Sequence, residues 1–194
     1  MEIILNMYIT MLPVILGGVS NMIFTKTNLY KKHCFPIDCY KTLKDNKRIF
    51  GDNKTIIGFF SMIFFCAVFQ ILCGFLYNIL NITQNNDLYI YNSNTFLFNL
   101  IIGFLFGFIY MICELPNSFI KRRLNIECGK TNKGIVGSIF FIIDQVDSLL
   151  GVMFILYLFS NITFLKYINY VLLGAITHIV VNFILYVSKI RKNI

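Results

Sequence analysis

The stretch IVGSIFFIIDQVDSLLGVMFILYLF, residues 135–159, contains the features that decide the fold. It is apolar over more than the about 20 residues that a helix needs to cross a bilayer. Asp144 and Asp147 interrupt it, and one carboxylate at the centre of a membrane helix costs about 2.5–3.5 kcal/mol on insertion scales. Residues three apart share a helix face, so both carboxylates point toward one cavity. The stretch predicts a membrane helix with an acidic functional site; a structural pair bonded to Lys or Arg is the alternative interpretation.

Four further apolar runs of membrane length accompany this one. Of the 194 residues, 57% are hydrophobic and 13% are charged, and the mean hydropathy is +0.72. A soluble domain has about 45–50% apolar and about 25% charged residues, so this composition excludes a soluble or disordered chain. We predict an all-α polytopic membrane protein, with residues 1–194 as a single membrane domain. The five predicted transmembrane helices cover about residues 3–24, 56–80, 96–113, 135–159 and 167–188.

The basic residues lie almost entirely on one side of these spans. Of the 17, eight fall in residues 25–55, five in 114–134 and three after the fifth span, whereas residues 81–95 hold none. Only Lys166 lies on the opposite side. Because cytoplasmic loops carry an excess of Lys and Arg, we predict two basic cytoplasmic loops, an outside N-terminus and a cytoplasmic C-terminus. The net charge of +8 then reflects these loops and contact with anionic membrane lipids, and we expect no nucleic acid partner.

Two polar segments on the basic side carry residue types that bind phosphates. Asn117-Ser118 and Lys121-Arg122-Arg123 follow the third apolar run, and Asn53-Lys54-Thr55 precedes the second. Lys and Arg supply charge and Asn, Ser and Thr supply neutral donors. Taken alone, each segment has a simpler interpretation: a basic flank of a span for the first and a snorkelling lysine for the second. The second is not a P-loop, because the GxxxxGK[ST] spacing is absent.

Together with these segments, the aspartate pair predicts metal-assisted chemistry on a polyphosphate. Two carboxylates on one helix face suit a hard cation such as Mg²⁺, and Gly129, Gly134 and Gly137 let the backbone between them and the basic cluster approach a ligand closely. His178 is interpreted as a helix-packing residue. Gly103 and Gly107 form a GxxxG motif that fits close packing within the chain or in a homodimer.

Three motifs, in this order along the chain, resemble those of a known enzyme family. The Ser-x-x-Lys-Arg pattern and the Asp-x-x-Asp pair resemble the signature of CTP:phosphatidate cytidylyltransferases. The short length and five spans resemble the CDP-archaeol synthase branch more closely, over about residues 13–151. The residues that carry this resemblance are Pro36-Ile37-Asp38, Lys41, Asp45 and Arg48 through Thr55 in the first loop, Glu114 through Phe119 and Lys121 through Leu124 in the second, and Phe140-Phe141. Cys39 and Cys128 depart from the Gly and Pro expected there.

The resemblance implies that a lipid phosphomonoester attacks the α-phosphate of CTP, with pyrophosphate leaving. It implies an integral protein of the cell membrane whose active site faces the cytoplasm. The implied catalytic residues are Asp144, Asp147, Lys121 and Arg122, with Mg²⁺ held by Asp144 and Asp147. The implied substrate-binding residues are Asp38, Asn53, Lys54, Thr55, Asn117, Ser118 and Arg123.

Other classes of membrane protein fit the chain less well. CDP-alcohol phosphatidyltransferases and UbiA-type prenyltransferases need further acidic residues downstream, and no acidic residue follows Asp147. Intramembrane aspartyl proteases place their two carboxylates on different helices. A small transporter that uses Asp144 and Asp147 as a cation site remains the alternative.

Overall fold

The computed structural model describes residues 2–128 and 134–190. Within that part the secondary structure is helical, with two short 3-10 turns at Thr83–Asn85 and Asp87–Tyr89 and no β-strand. Gly129, Lys130 and Lys133 of the second predicted loop lie outside the described residues, as do Arg191 and Lys192. The helices are α1 (Glu2–Phe24), α2 (Asn28–His33), α3 (Ile56–Ile79), α4 (Phe96–Arg123), α5 (Gly134–Ser160) and α6 (Phe164–Val187).

Five helices in the described residues, all except α2, are long and apolar enough to cross a membrane, which confirms the predicted architecture. The largest difference from the predicted bounds is at α4, which continues past Cys113 to Arg123. Hydropathy falls after Cys113, but hydropathy marks the end of the apolar segment and not the end of the helix. The polar residues of the second segment therefore lie on a rigid helix rather than in a loop.

Threonines fix where three of these helices begin. The hydroxyl oxygens of Thr55, Thr95 and Thr163 accept hydrogen bonds from backbone N–H groups three residues onward, at 3.1, 3.3 and 3.3 Å. Each threonine has an extended backbone and acts as an N-cap, which satisfies one of the donors left free at a helix start. Capping by Thr163 explains why α6 starts ahead of the predicted Tyr167.

The helices pack in a sequence of neighbours: α1 against α3, α3 against α4, α4 against α5, and α5 against α6. The GxxxG motif lies in the closest of these contacts. A Cβ atom at Gly103 would lie 2.6 Å from Cα of Ala67, and one at Gly107 would lie 2.5 Å from Cα of Ile63. Both glycines therefore pack within the chain, where they let α4 approach the backbone of α3.

The connection between α3 and α4 closes the end of the bundle opposite to residues 25–55. Asn86, Asp87, Leu88 and Tyr89 are all buried there. The carboxylate of Asp87 accepts hydrogen bonds from Lys166 Nζ at 2.8 Å and from the hydroxyl of Tyr170 at 2.5 Å. The single basic residue on this side is thus paired with a buried carboxylate, so it adds little to the charge asymmetry of the chain.

Candidate active site

The first loop, residues 25–55, is organised around the carboxylate of Asp38. Arg48 donates to it through Nη2 at 2.6 Å and Nε at 3.0 Å, and the backbone N–H groups of Phe50 and Tyr40 donate at 2.9 and 3.1 Å. Burial alone would raise the pKa of Asp38, but the hydrogen bonds from Arg48 and Phe50 outweigh it and hold the pKa below its ordinary value. All of these donors belong to the first loop, so the Asp38 carboxylate is bonded within the loop itself. Contact between Asp38 and substrate stays a prediction.

Arg123 joins the end of α4 to the first loop. Its Nη1 donates to Oδ1 of Asp45 at 3.0 Å, and its Nη2 donates to the carbonyl oxygen of Arg48. Lys47 Nζ donates in return to the carbonyl oxygen of Arg123 at 2.8 Å. The predicted substrate-binding arginine therefore fixes the relative position of the two basic segments.

A tight turn at residues 51–53 lies against the same end of α4. The N–H of Gly51 donates to Ser118 Oγ at 3.2 Å. The sulfur of Cys128 accepts from Asp52 N at 3.2 Å and from Arg122 Nη1 at 3.0 Å. A Cβ atom at Gly51 would lie 2.3 Å from this sulfur, so the turn needs glycine. Arg122 and Ser118 thus face the turn and not the aspartate pair.

The Asn53-Lys54-Thr55 segment divides into three roles. Asn53 is exposed. Lys54 forms an ion pair with Glu114 of α4. Thr55 is buried, caps α3 and shares a 2.7 Å hydrogen bond with the hydroxyl of Tyr30. Thr55 therefore stabilises the loop, Lys54 links the loop to α4, and ligand contact by Asn53 and Lys54 stays a prediction.

The aspartate pair lies where α4 and α5 face each other. Asn117 Nδ2 donates to Oδ1 of Asp144 at 2.6 Å and to Oδ2 of Asp147 at 2.7 Å. Lys121 Nζ lies 2.5 and 2.6 Å from the two oxygens of Asp144. The other oxygen of Asp147 accepts from the backbone N–H of Ser148 at 2.7 Å. The structure therefore brings together both aspartates, Lys121 and Asn117, as one cluster between two helices.

Glu114 is the site residue that sequence reasoning did not select. It lies on α4 one turn before Asn117 and two turns before Lys121, so the three share a helix face. Its carboxylate pairs with Lys54, and Glu114 also acts electrostatically on Asp147. We use the name acidic centre for Glu114, Asp144 and Asp147. Its spacing from Asn117 and Lys121 could have indicated a shared helix face. That inference requires α4 to continue past Cys113, which hydropathy does not predict.

The chain matches the family model of CarS-like CDP-archaeol synthases over residues 1–193. It belongs to this family. A CDP-archaeol synthase of Methanococcoides burtonii is 29% identical over 168 residues, which cover 81% of this chain and 88% of the relative. One of Methanocaldococcus jannaschii is 29% identical over 163 residues, which cover 80% and 81%. One of Saccharolobus islandicus is 30% identical over 158 residues, which cover 81% and 80%.

A solved structure supports the fold of this CDP-archaeol synthase family member. It is described as an intramembrane enzyme for archaeal membrane lipids biosynthesis. The two chains are 20% identical, the TM-score is 0.62, and the match covers 91% of this chain and 92% of the other. The likeness extends over nearly the whole of both chains, so the two proteins share this arrangement of helices.

The CDP-archaeol synthase family, as a cytidylyltransferase family, indicates a divalent metal, and the cluster fits one. No group of three His, Cys, Asp or Glu placed to hold a metal occurs in residues 2–128 and 134–190. Two carboxylates are present, however, and Oδ1 of the buried Asn117 has no hydrogen-bond partner among the described residues. Magnesium keeps several waters and is bound through one or two carboxylates plus substrate phosphates. Asp144, Asp147 and the Asn117 oxygen match that donor set.

An apolar cavity lies between α1 and α6, with further lining from α4 and α5. Most of its lining is aliphatic, including Met11, Val14 and Leu149, and its polar lining includes Tyr110 and His178. Tyr110 is one turn before Glu114 on α4, so the lining of the cavity comes within one helical turn of the acidic centre. His178, interpreted from sequence as a packing residue, lines this cavity.

Proposed function

We propose that this protein transfers CMP from CTP to a membrane lipid phosphomonoester, giving a CDP-activated lipid and pyrophosphate. Membership of the CDP-archaeol synthase family supports this reaction and does not favour a transporter. The observation that carries the residue assignment is the contact of Asn117 and Lys121 with Asp144 and Asp147 inside the membrane span. The end of α4 that we assign to phosphate binding and the pair that we assign to metal binding therefore meet, about two helical turns along α4 from the cavity residue Tyr110.

The reaction needs positioning and charge stabilisation more than proton transfer. A phosphate oxygen of the lipid forms a bond to the α-phosphorus of CTP, and the bond from that phosphorus to the bridging oxygen of pyrophosphate breaks. The attacking oxygen is already anionic, so no strong general base is required. We assign Lys54 and Lys121 at the acidic centre, and Arg122 beside the turn at residues 51–53, to binding the phosphate oxygens. Fixed positive groups of this kind stabilise charge that develops on such oxygens.

The remaining predicted substrate-binding residues fall into two groups. Asn53 is exposed, and Asn117 has a buried oxygen without a partner among the described residues, so we assign both to ligand contact. Ser118 and Arg123 join the first loop to α4, and Thr55 and Asp38 stabilise the first loop itself, so we assign all four to shaping the site. This division follows from the partners that their side chains already have.

We propose Mg²⁺ as the metal, held by Asp144 and Asp147. When bound, it supplies positive charge that neutralises and orients the phosphates. Asn117 fixes the direction of both carboxylates through its amide N–H groups. Their geometry is therefore set by α4 and α5 together.

The membrane setting of the proposal follows from charge and shape. We propose that the protein lies in the cell membrane as a single domain, with an outside N-terminus and with the active site and C-terminus facing the cytoplasm, because 16 of the 17 basic residues lie on that side. We propose that the lipid chains approach the site along the apolar lining between α1 and α6. A homodimer also stays a proposal, and it needs a face other than Gly103 and Gly107, which pack on α3.

The lipid is the least constrained part of the proposal. The relatives are named for CDP-archaeol, which makes a geranylgeranyl ether lipid phosphate the first choice and phosphatidate the second. The cavity lining is mainly apolar, a chemistry that suits ether-linked and diacyl chains alike. The acceptor must therefore be identified by experiment.

Pyrophosphate release by the purified protein tests the proposed reaction. CTP and Mg²⁺ are supplied with digeranylgeranylglyceryl phosphate in one series and phosphatidate in another. We expect release that requires one acceptor, is lost in Asp144→Asn and is retained in Glu2→Gln, a matched change at an exposed carboxylate. Normal release by Asp144→Asn would remove the assignment of this residue.

A further inference from the structure

Two carboxylates of the acidic centre, one of them a metal ligand in the proposed function, are in direct contact with lysine side chains. Both oxygens of Asp144 accept from the ammonium of Lys121, at 2.5 and 2.6 Å. The carboxylate of Glu114 is paired with Lys54. Sequence reasoning assigns both lysines to phosphate binding, whereas the structure shows them on carboxylates.

Lys54 belongs to the same electrostatic unit even though it comes from the first loop. Its side chain is only 15% exposed. Burial alone would lower its pKa, but Glu114 raises it, with smaller contributions from Asp147 and Asp144, and the pKa stands above its ordinary value. The ammonium therefore interacts with all three carboxylates of the acidic centre. Two ammonium groups, those of Lys54 and Lys121, lie among these three carboxylates.

We propose that Lys54 and Lys121 exchange partners during ligand binding. When a divalent cation binds the aspartates, Lys54 moves from Glu114, and Lys121 from Asp144, to phosphate oxygens of the triphosphate. This inference rests on the proposed function and goes beyond it, because it assigns the two lysines a second role. They act as the internal counter-ions of the carboxylates until the triphosphate takes them up.

The exchange makes the binding of cation and nucleotide interdependent. If Asp144 binds a cation alone, it must give up an ammonium group that then has no partner in a buried site. If the lysines bind a triphosphate alone, they leave carboxylates unpaired beside it. Each ligand removes the cost of binding the other, and such coupling is reciprocal. The cluster therefore selects the cation and the nucleotide together.

Binding of Mn²⁺ in the absence of nucleotide tests the exchange without reference to turnover. The full chain is purified in detergent, and free Mn²⁺ is followed by its electron paramagnetic resonance signal. Lys121→Met and Lys54→Met remove the competing ammonium groups one at a time. We expect each to strengthen Mn²⁺ binding by roughly tenfold, within the about 5- to 150-fold range typical of coupled sites.

Lys44→Met is the matched control, because it removes the same charge at an exposed position of the first loop. It should leave Mn²⁺ binding unchanged. An equal gain in all three variants means that net charge alone is responsible and overturns the exchange. No gain in Lys121→Met and Lys54→Met overturns it as well. If one variant does not fold by circular dichroism, the other decides.

The result of the Mn²⁺-binding experiment can be distinguished from the result of the turnover assay. If the wild type transfers CMP to a lipid while the lysine variants bind Mn²⁺ no more tightly, the exchange is wrong and the reaction stands. If the lysine variants gain Mn²⁺ affinity but no acceptor supports turnover, the acidic centre is a cation site at which the two lysines compete with the cation. The proposed reaction then fails.

Discussion

Asn117 contacts both aspartates and carries no charge, so its replacement separates geometry from electrostatics. We predict that Asn117→Leu lowers turnover by about 10- to 100-fold and raises the Mg²⁺ concentration needed for half-maximal activity, as loss of a residue that orients metal ligands does. Steady-state assays over a Mg²⁺ series give both values. Asn99→Leu is the control: Asn99 is buried at the other end of the bundle, where it accepts from Tyr89 at 2.6 Å. That variant should lose stability but keep the Mg²⁺ requirement, and a change there equal to that of Asn117→Leu would contradict the assignment.

Asp38 gives a prediction about pH. Its pKa in the folded protein is below the ordinary value, so its contribution to stability is complete above the unfolded pKa of about 3.9 and is lost as the pH falls through the folded pKa. We predict that Asp38→Asn lowers the thermal midpoint at pH 7, with a cost of about 1.5–3 kcal/mol for hydrogen bonds to a charged group. The difference from wild type should shrink below about pH 4. Thermal unfolding between neutral and acidic pH measures this, and a constant difference over the whole range would show that the carboxylate charge is not involved.

Among the elements, the α3–α4 contact depends most on small side chains. A Cβ atom at Gly107 would lie 2.5 Å from Cα of Ile63, whereas one at Gly18 of α1 would meet only the flexible end of Met62, at 4.0 Å. We predict that Gly107→Ala costs about 1–3 kcal/mol of stability, the usual range for overpacking, and that Gly18→Ala costs much less. Thermal midpoints in detergent compare the two. Equal midpoints would mean that α4 does not need this close approach.

Sequence and structure agree on the elements that hydropathy determines. They differ at helix ends, which depend on the contacts of individual side chains. Five long apolar runs predict five helices because the bilayer demands satisfied backbone groups over its full thickness. The continuation of α4 to Arg123 was missed because the polar residues after Cys113 end the apolar signal while the backbone stays helical. Thr163, as an N-cap, moves the start of α6 for the same kind of local reason.

The candidate site shows the same division. Asp144 and Asp147 could be selected from sequence because an intramembrane carboxylate is costly and therefore has a function or a partner. The pairing of Lys54 with Glu114 and the use of Asp38 within its own loop could not. Both contacts depend on which carboxylate lies near which lysine or arginine in the folded chain. Spacing along the sequence does not determine these pairs.

At the scale of the whole molecule, the orientation in the membrane is the property that most needs a direct test. Cys34 and Cys39 are exposed thiols in the first loop. We predict that a membrane-impermeant maleimide labels them in inside-out vesicles and leaves them unlabelled in right-side-out vesicles, because the first loop lies on the basic, cytoplasmic side. A variant with serine at both positions identifies the signal that belongs to this loop. Labelling in right-side-out vesicles alone would reverse the orientation.

Transfer of label from α-phosphate-labelled CTP into the lipid fraction tests the central claim most directly, because it follows the bond that the reaction forms. The purified protein is given Mg²⁺ and a lipid phosphomonoester, and the organic phase is counted and its product identified by mass. The account predicts a labelled CDP-lipid with the wild type and none with Asp144→Asn or Asp147→Asn in folded protein. Label that stays in the aqueous phase with both the ether-linked and the diacyl acceptors would contradict it.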